Sequence, residues 1–274
     1  METILVPTDF SPAADNAVDY AVRLAKQFDA RIILLNAFSV PYSMHEPLFQ
    51  QDLTPVFYDS SKAKLRETKN RIHKTFDNKL KVEYVSEYNS TFDAIASTAV
   101  EKDADLIVMG IVGEAGAIKE HIIGSTAVTV ARKLDIPTFI IPQSVKYAPI
   151  SKITFACDLE GTEDSDVIQL VRLFCKMFDA ELEIVNVGNP MDKVSSDKAL
   201  TYLYIEDKLQ DTKHNMFHVN GEDAAEELEN YFKSYPTDLV VLSPKKHGLF
   251  YNLFNNSITK NLAFHLNTPI LAIH

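Results

Sequence analysis

The sequence predicts an α/β protein made of two repeated doubly wound domains, each a parallel sheet with helices on both faces. Short apolar, β-branched stretches alternate with stretches whose apolar residues recur every three or four positions. This is the pattern of strands alternating with amphipathic helices in a parallel sheet. The second half of the 274-residue chain also repeats segments of the first half in the same order. Such a repeat indicates two domains of one architecture.

Composition limits the partners and the compartment. The chain is 46% hydrophobic with a net charge of −11, so it is long and apolar enough for two cores. An acidic surface disfavours nucleic acids and anionic membranes, since both need clustered Lys and Arg. It does not exclude a nucleotide, which needs only a local positive potential. No apolar run approaches the ~18 residues of a membrane span, and the N-terminus is predicted to be a strand rather than a signal peptide.

The two cysteines, Cys157 and Cys175, have no metal-like spacing. So few cysteines are typical of a reducing compartment, and we expect a cytoplasmic protein without disulfides. Cys157 is interpreted as a small residue that ends a strand, and a reactive thiol is the alternative.

The first strand, helix and second strand are predicted from residues 3–37. Residues 3–7 form the strand, Ser11 is a good N-cap and Pro12 fits the first helical turn. Residues 31–37 are a near-continuous apolar run, typical of a strand covered on both faces. Spacings of three and four predict one buried helix face at Ala14, Ala17, Ala21, Leu24 and Phe28.

The next stretch is less regular. Residues 38–60 are aromatic and carry prolines at 41, 47 and 55, so we expect a long loop or lid. A charged helix is predicted over residues 61–76. Alternation at Leu80, Val82 and Tyr84 then indicates an exposed edge strand. A further helical stripe consists of Phe92, Ile95, Ala96, Ala99 and Val100.

Residues 105–126 form the most informative stretch. The apolar run DLIVMG (residues 105–110) predicts a buried strand, and glycines at 110, 113 and 116 follow it. Glycine lets bare backbone approach a ligand, and Gly124 and Ser125 open a helix whose positive end would face the loop. This pattern indicates a phosphate site, although a glycine turn that binds nothing is the alternative. Residues 138–141 are predicted as the fifth strand.

The repeat fixes two domains, residues 1–145 and 150–274. Residues 4–9 match 153–158, residues 22–37 match 171–187, residues 105–110 match 238–243 and residues 136–142 match 267–274. Ser243, Lys246 and Asn256 stand where the first copy has glycines 110, 113 and 124. Because side-chain bulk there should block a phosphate, we expect the second domain to be structural, with a degenerate nucleotide loop.

Two motifs of the first copy resemble the universal stress protein family. They are VPTDFS (residues 6–11) and the loop Gly110-x2-Gly113-x10-Gly124-Ser125. The chain as a whole looks like a tandem universal stress protein. The resemblance implies five-stranded parallel sheets of order 3-2-1-4-5 and a stress-response or regulatory role. It also implies ATP or AMP, with or without Mg²⁺, across the ends of strands one and four. The family pattern has nine residues where this loop has ten, and a bulge near Gly116 would absorb the difference.

The resemblance also implies a set of nucleotide-binding residues. Asp9 would accept from ribose hydroxyls or hold a metal, and a helix-capping carboxylate is the alternative. The implied set is Pro7, Thr8 and Asp9 on the base and ribose side, Ala37 beside the adenine, Met109 and Gly110 under the nucleoside, and Gly113, Gly124, Ser125 and Thr126 at the phosphates.

The alternative function is an interaction scaffold of the same fold that binds no nucleotide. Its copies would pair face to face through their fifth strands as an intrachain pseudo-dimer, with or without a homodimer, and residues 38–60 would contact an unknown protein partner. An enzyme would need a positioned acid, base or metal cluster. The sequence shows neither a catalytic pair nor a metal-ligand spacing, so we expect no enzymatic activity. Gly113→Asp is expected to abolish nucleotide binding and to leave the fold intact.

Overall fold

A computed structural model describes residues 1–40, 52–112, 125–157, 166–188, 196–221, 224–243 and 268–274. In the first half of the chain the elements are β1 (Thr3–Pro7), α1 (Pro12–Phe28), β2 (Arg31–Phe38), α2 (Thr54–Thr75), β3 (Val82–Tyr88), α3 (Thr91–Glu101), β4 (Leu106–Ile111), α4 (Ser125–Lys133) and β5 (Thr138–Pro142). In the second half they are β6 (Lys152–Cys157), α5 (Asp166–Phe178), β7 (Glu181–Gly188), α6 (Ser196–Lys208), β8 (His214–Asn220), α7 (Ala224–Ser234), β9 (Leu239–Leu242) and β10 (Ile270–Ala272).

All ten strands of the described residues form one sheet, in the order β3-β2-β1-β4-β5-β10-β9-β6-β7-β8. Strands within each half are parallel, and β10 pairs with β5 antiparallel, with Ile270 opposite Ile140. Counted within its own half, each set of five strands has the order 3-2-1-4-5, so the predicted fold class is confirmed.

The fifth strands do pair, but edge to edge rather than face to face. The face-to-face arrangement expected from the sequence is therefore wrong. The ladder between β5 and β10 satisfies backbone groups that would otherwise form an exposed edge of each half-sheet. Residues 143–151 connect β5 to β6, and the domain limits at 145 and 150 stay predictions.

Two apolar layers cover the sheet, because successive strand residues point to opposite faces. Ile4 and Val6 of β1 join a layer with α1, α2, α5 and α6, and Leu5 joins a layer with α3, α4 and α7. Phe139 of β5 is fully buried where the halves meet, with ring centres 6.4 Å from Phe174 and 6.5 Å from Phe178. Helix α5 of the second half therefore packs over the last strand of the first half.

Local signals explain where α1 begins and ends. The Ser11 Oγ accepts from the Ala14 N–H at 3.2 Å, and Pro12 occupies the first turn, as predicted. Asp29 ends α1 with φ 53°, and Asp179 has φ 54° at the corresponding point after α5. Both lie in the left-handed region that favours glycine, where Asp is tolerated better than most residues.

A carboxylate holds the first strand to the fourth in both halves. The Asp105 Oδ2 accepts from the Thr3 N–H at 3.0 Å, and the Asp238 Oδ2 accepts from the Lys152 N–H at 2.9 Å. These pairs occupy matching positions in the sequence repeat. The repeat is therefore preserved at the level of single hydrogen bonds.

Two expectations were wrong. Residues 38–60 are not a continuous loop, because Phe38 belongs to β2 and α2 begins at Thr54, while residues 41–51 lie outside the described residues. Pro55 lies in the first turn of α2, where a missing N–H costs nothing. Val100, a member of the predicted helical stripe, is 76% exposed and so does not lie on the buried face of α3.

Strand β3 is an edge strand, as predicted. Cys157 and Cys175 are both buried, and neither forms a disulfide bond. None of the described helices has the length and hydropathy needed to cross a bilayer.

Candidate functional site

A cavity of about 340 Å³ opens at the carboxyl ends of β1 and β4. The strand order reverses between these two neighbours, since β1 connects onward to β2 on one side and β4 to β5 on the other. Connections that leave in opposite directions open a crevice at such a switch point, where open α/β sheets bind ligands. The lining residues are Pro7, Thr8, Asp9, Ser11, Ala13, Ala14, Leu35, Asn36, Ala37, Thr91, Ile95, Met109, Gly110, Ile111, Val112, Thr126 and Ala127.

The cavity brings together most of the residues that the sequence assigned to a site. Seven of them line it: Pro7, Thr8, Asp9, Ala37, Met109, Gly110 and Thr126. Ser125 begins α4 beside Thr126, and nothing is described of its side chain. Gly113 and Gly124 lie outside the described residues. The roles given to these ten residues remain predictions.

The turn after β1 has a tightly defined shape. The Thr8 N–H donates to the Leu35 carbonyl at 2.8 Å, and the Thr8 Oγ1 accepts from the Phe10 N–H at 3.0 Å. Phe10 has φ 64°, an uncommon conformation for a bulky residue. This conformation turns the chain between Asp9 and the start of α1 at the mouth of the cavity.

Asp9 does not cap α1, because Ser11 does so. The Asp9 Oδ1 accepts from the Ser11 N–H at 2.9 Å, which closes a small turn before the helix. Among the described residues, no hydrogen bond reaches the Asp9 Oδ2, and the side chain is exposed. One carboxylate oxygen therefore stabilises the turn, and Asp9 also lines the cavity.

Asn36 supports this turn from below. It lies in β2, is only 8% exposed, and its Nδ2 donates to the Thr8 carbonyl at 2.7 Å. Its Oδ1 accepts from the Ser61 Oγ of α2 at 2.7 Å. The sequence interpretation missed Asn36, although two signals were available: it is a polar residue in an apolar strand, and Asn186 repeats it in the second half.

Gly110 has a packing role that the sequence interpretation did not assign. A Cβ at Gly110 would lie 2.2 Å from the Ala13 carbonyl oxygen and 2.5 Å from its carbon. Such contacts are impossible, so glycine is required for β4 to lie against the first turn of α1. The bare backbone of Gly110 approaches this helix as well as lining the cavity.

Three helices begin at the cavity. Ala13 and Ala14 belong to the first turn of α1, Thr91 opens α3, and Thr126 lies at the start of α4. A helix N-terminus carries a partial positive charge and free N–H groups. The first turn of α4 contains no acidic residue to offset this charge. Thr91 and Ile95 of α3 were not predicted as site residues, since their positions carry no motif.

The corresponding end of the second half differs at the described positions. Ser243 replaces Gly110, and its buried Oγ has no hydrogen-bond partner in the described part of the chain. Cys157 replaces Thr8, and the Asn186 Nδ2 donates to the Cys157 carbonyl at 3.1 Å. Residues 158–165 and 244–267, which contain the counterparts of Asp9, Gly113 and Gly124, lie outside the described residues. Within the described ranges, no three His, Cys, Asp or Glu residues are grouped to hold a metal ion.

The sheet order and the switch-point cavity define a doubly wound α/β protein with a ligand-sized crevice in its first half. The profile of the Universal stress protein family matches residues 1–142, and the chain belongs to that family. It is 26% identical over 146 residues to a universal stress protein of Methanocaldococcus jannaschii, a match covering 52% of this chain and 83% of the relative.

Several solved structures resemble the whole chain. A universal stress protein from Archaeoglobus fulgidus has a TM-score of 0.75 and 15% identity, over 99% of this chain and 97% of that one. A Pseudomonas aeruginosa protein of unknown function has a TM-score of 0.59 and 14% identity, over 100% and 92% of the two chains. At these identities the likeness shows the fold, and it extends over both halves.

Proposed function

We propose that the protein binds an adenine nucleotide, ATP or AMP, in the cavity of its first half and acts as a stress-response or regulatory protein. The second half is structural in this proposal. One observation carries it: the switch-point cavity gathers seven of the ten residues that family resemblance assigns to a nucleotide. The motif-based assignment and the lining of the cavity are separate observations, because residues such as Pro7 and Met109 are far apart in the sequence and meet only in the folded chain.

The shape and lining of the cavity suit a nucleoside. Its volume of about 340 Å³ falls in the range of small-molecule sites, ~300–1,000 Å³. Leu35, Ile95 and Met109 supply apolar walls, as a base requires, and Ala37 is small enough to leave room beside it. The polar groups of Thr8 and Asp9 lie at the same end and would face the ribose.

The local field suits phosphates, although the chain is acidic overall. The N-termini of α1, α3 and α4 converge on the cavity, and each favours a negative charge nearby. The α4 terminus at Thr126 follows the glycine segment of the sequence, as expected of a helix that binds phosphate through its N–H groups. A nucleotide lying from Ala37 towards Thr126 would place its charge there.

The Asp9 Oδ2 is the group that would contact a ribose hydroxyl or a phosphate-bound Mg²⁺. We propose binding without catalysis, since the proposed roles of the lining residues are all in contact and none is in proton transfer. A cytoplasmic location accords with two cysteines that form no disulfide bond. Nucleic acid and membrane are not proposed as partners. The pairing of β5 with β10 makes the chain its own pseudo-dimer, so any homodimer would use another surface.

Nucleotide content and titration test the proposal. The purified protein is denatured, the supernatant is analysed for adenylates, and the apo protein is titrated with ATP, AMP and GTP by calorimetry. Ala37→Phe should fill the base side and reduce affinity by about 100-fold or more, because the larger side chain would occupy the space of the base. Ala63→Phe, at an exposed position of α2, is the matched control and should leave affinity unchanged.

Asp9→Asn gives a second arm. It removes the charge but keeps an oxygen, and should weaken binding about tenfold if a hydroxyl or metal is held. Asp207→Asn removes the same charge from an exposed residue of the second half and serves as control. No retained adenylate, together with no thermal shift at millimolar ATP or AMP, would refute the proposal, because binding must raise stability.

The alternative is an interaction scaffold that binds no nucleotide. One observation favours it: ten residues separate Gly113 from Gly124, where the family loop has nine. In that case the cavity would be unoccupied at saturating adenylate, and the Ala37→Phe variant would behave as the parent in every assay.

A further inference from the structure

A series of buried and partly buried hydrogen bonds links the edge strand β3 to the turn after β1. The Ser86 Oγ of β3 donates to the Ser61 Oγ of α2 at 2.7 Å. Ser61 donates to the Asn36 Oδ1 at 2.7 Å, and the Asn36 Nδ2 donates to the Thr8 carbonyl at 2.7 Å. Ser61 is 5% exposed, so a broken bond could not be replaced freely by water.

This series of hydrogen bonds has a single donor-to-acceptor direction. A serine hydroxyl has one proton, and Ser61 gives its proton to Asn36, so it must accept from Ser86. With the Asn36 oxygen bound to Ser61, the amide nitrogen is left to face Thr8. The Thr8 carbonyl can only accept, so it determines which end of the Asn36 amide meets the turn, and Ser61 holds the opposite, oxygen end in place.

The turn after β1 depends on the hydrogen bond from Asn36, because it contains a residue in an unfavourable backbone conformation. Phe10 takes a left-handed conformation with φ 64°, which disfavours a bulky residue and persists only when its surroundings hold it. Helix α2 also contacts Phe10 directly, because the Lys64 Nζ lies 5.3 Å from the centre of the Phe10 ring in a cation–π contact. No described residue of α2 lines the cavity, yet this helix holds the turn at both Thr8 and Phe10.

We propose that Ser61 is a positioning residue for the nucleoside end of the ligand, acting through Asn36 on the Thr8–Asp9 turn. This inference rests on the proposed function. Ser61 touches no ligand in this account. It sets the position of the Asp9 carboxylate and of the Thr8 backbone, so its loss lowers affinity without removing a contact.

The second half keeps the amide contact and changes the support. The Asn186 Nδ2 donates to the Cys157 carbonyl, but the Asn186 Oδ1 lies 3.1 Å from the His218 Nδ1. His218 is opposite Asn186 in β8, as Ser86 is opposite Asn36 in β3. An imidazole of the edge strand therefore contacts the Asn186 amide directly, whereas the edge-strand hydroxyl of Ser86 reaches Asn36 through Ser61.

Ser61→Ala tests the inference in the full-length protein. Affinity for adenosine and for ATP should each fall about tenfold, the effect of one lost buried hydrogen bond. The ratio of the two affinities should stay constant, because the change acts at the nucleoside end. In ¹⁵N spectra of the apo protein the backbone amides of Asp9 and Ser11 should shift. Ser86→Ala, one link further away, should give a smaller loss and shift the same amides.

Thr68→Val is the matched control. Thr68 lies on the same face of α2, is 7% exposed, and its hydroxyl donates to the Lys64 carbonyl of its own helix at 3.1 Å. This variant should bind as the parent does. Equal losses in Thr68→Val and Ser61→Ala would show general loosening of α2 and overturn the positioning role.

A double variant separates positioning from folding. If Ser61 acts through the turn, then Asp9→Asn with Ser61→Ala should lose less affinity than the product of the two single losses. Independent, multiplying losses would overturn the inference. Unchanged affinity in Ser61→Ala, with nucleotide still bound by the parent, would overturn it and leave the proposed function standing. A parent protein that binds no adenosine or ATP would remove both.

Discussion

Gly110 lies against Ala13 so closely that a Cβ on Gly110 would be 2.2 Å from the Ala13 carbonyl oxygen. This approach brings β4 against the first turn of α1, and residues of both elements line the cavity. The glycine at the end of the fourth strand is needed whether or not a ligand is present. The second half has Ser243 at this position.

Gly110→Ala should therefore destabilise the fold as well as the site. Either α1 or β4 must move, and overpacking against backbone costs about 1–3 kcal/mol. Urea unfolding monitored by circular dichroism would show the loss, and adenylate titration would show weaker binding.

Gly221→Ala provides the comparison. A Cβ there would meet the Glu227 side chain at 2.2 Å, but that side chain can rotate away. Its cost should be well below that of Gly110→Ala. Similar small losses in both variants would mean that α1 moves easily and that the close packing of β4 on α1 does not require Gly110.

Asp29 and Asp179 should respond alike to substitution. Both end a helix with φ near 54°, where glycine has no Cβ penalty. Asp29→Gly and Asp179→Gly should each raise the free energy of unfolding by about 0.5 kcal/mol, and the alanine variants should lower it. Thermal denaturation of the four single variants measures this. A gain in one half and a loss in the other would show that the repeated helix ends are not equivalent.

Cys175 should make stability depend on alkaline pH. Burial raises the pKa of its thiol from 9.0 to about 12, because the interior disfavours the thiolate. In the unfolded chain the thiol loses its proton near pH 9, whereas the folded chain keeps it. The unfolded state then binds fewer protons, so the free energy of unfolding falls as pH rises from about 9 to about 12, by at most about 1.4 kcal/mol per pH unit.

Urea titrations at several pH values between 7 and 11 measure this slope. Burial also raises the pKa of Tyr20, so the parent alone does not isolate the thiol. The Cys175→Ala variant should have a lower free energy of unfolding at pH 7, and this free energy should fall less steeply with pH above pH 9. Parallel curves for the two proteins would contradict the assignment.

The strand order was predictable because each signal is local or repeated. Alternating strand and helix patterns define a parallel sheet, and the matched segments define two copies of it. The start of α2 was missed because Pro55 and the nearby aromatic residues suggest a loop, although proline is compatible with a first turn. The edge-to-edge meeting of β5 and β10 was missed because no local pattern distinguishes it from facing sheets.

Site residues that belong to a sequence motif could be predicted. Site residues that come together only in the folded chain could not. Pro7, Thr8 and Asp9 belong to one motif, and the cavity includes all three. Asn36 could have been identified from the sequence, because Asn186 occupies the matching position of the repeat. Ser61 and Ser86 could not, because no pattern marks them and their hydrogen bond forms only when α2 packs on β3.

The antiparallel junction of β5 with β10 has a further consequence. Strands of the two half-sheets run in opposing directions, so their carboxyl ends emerge at opposite rims of one continuous plate. A molecule bound at one rim therefore cannot contact the other rim at the same time. A substitution near Ser243 would not touch a ligand held at the opposite rim.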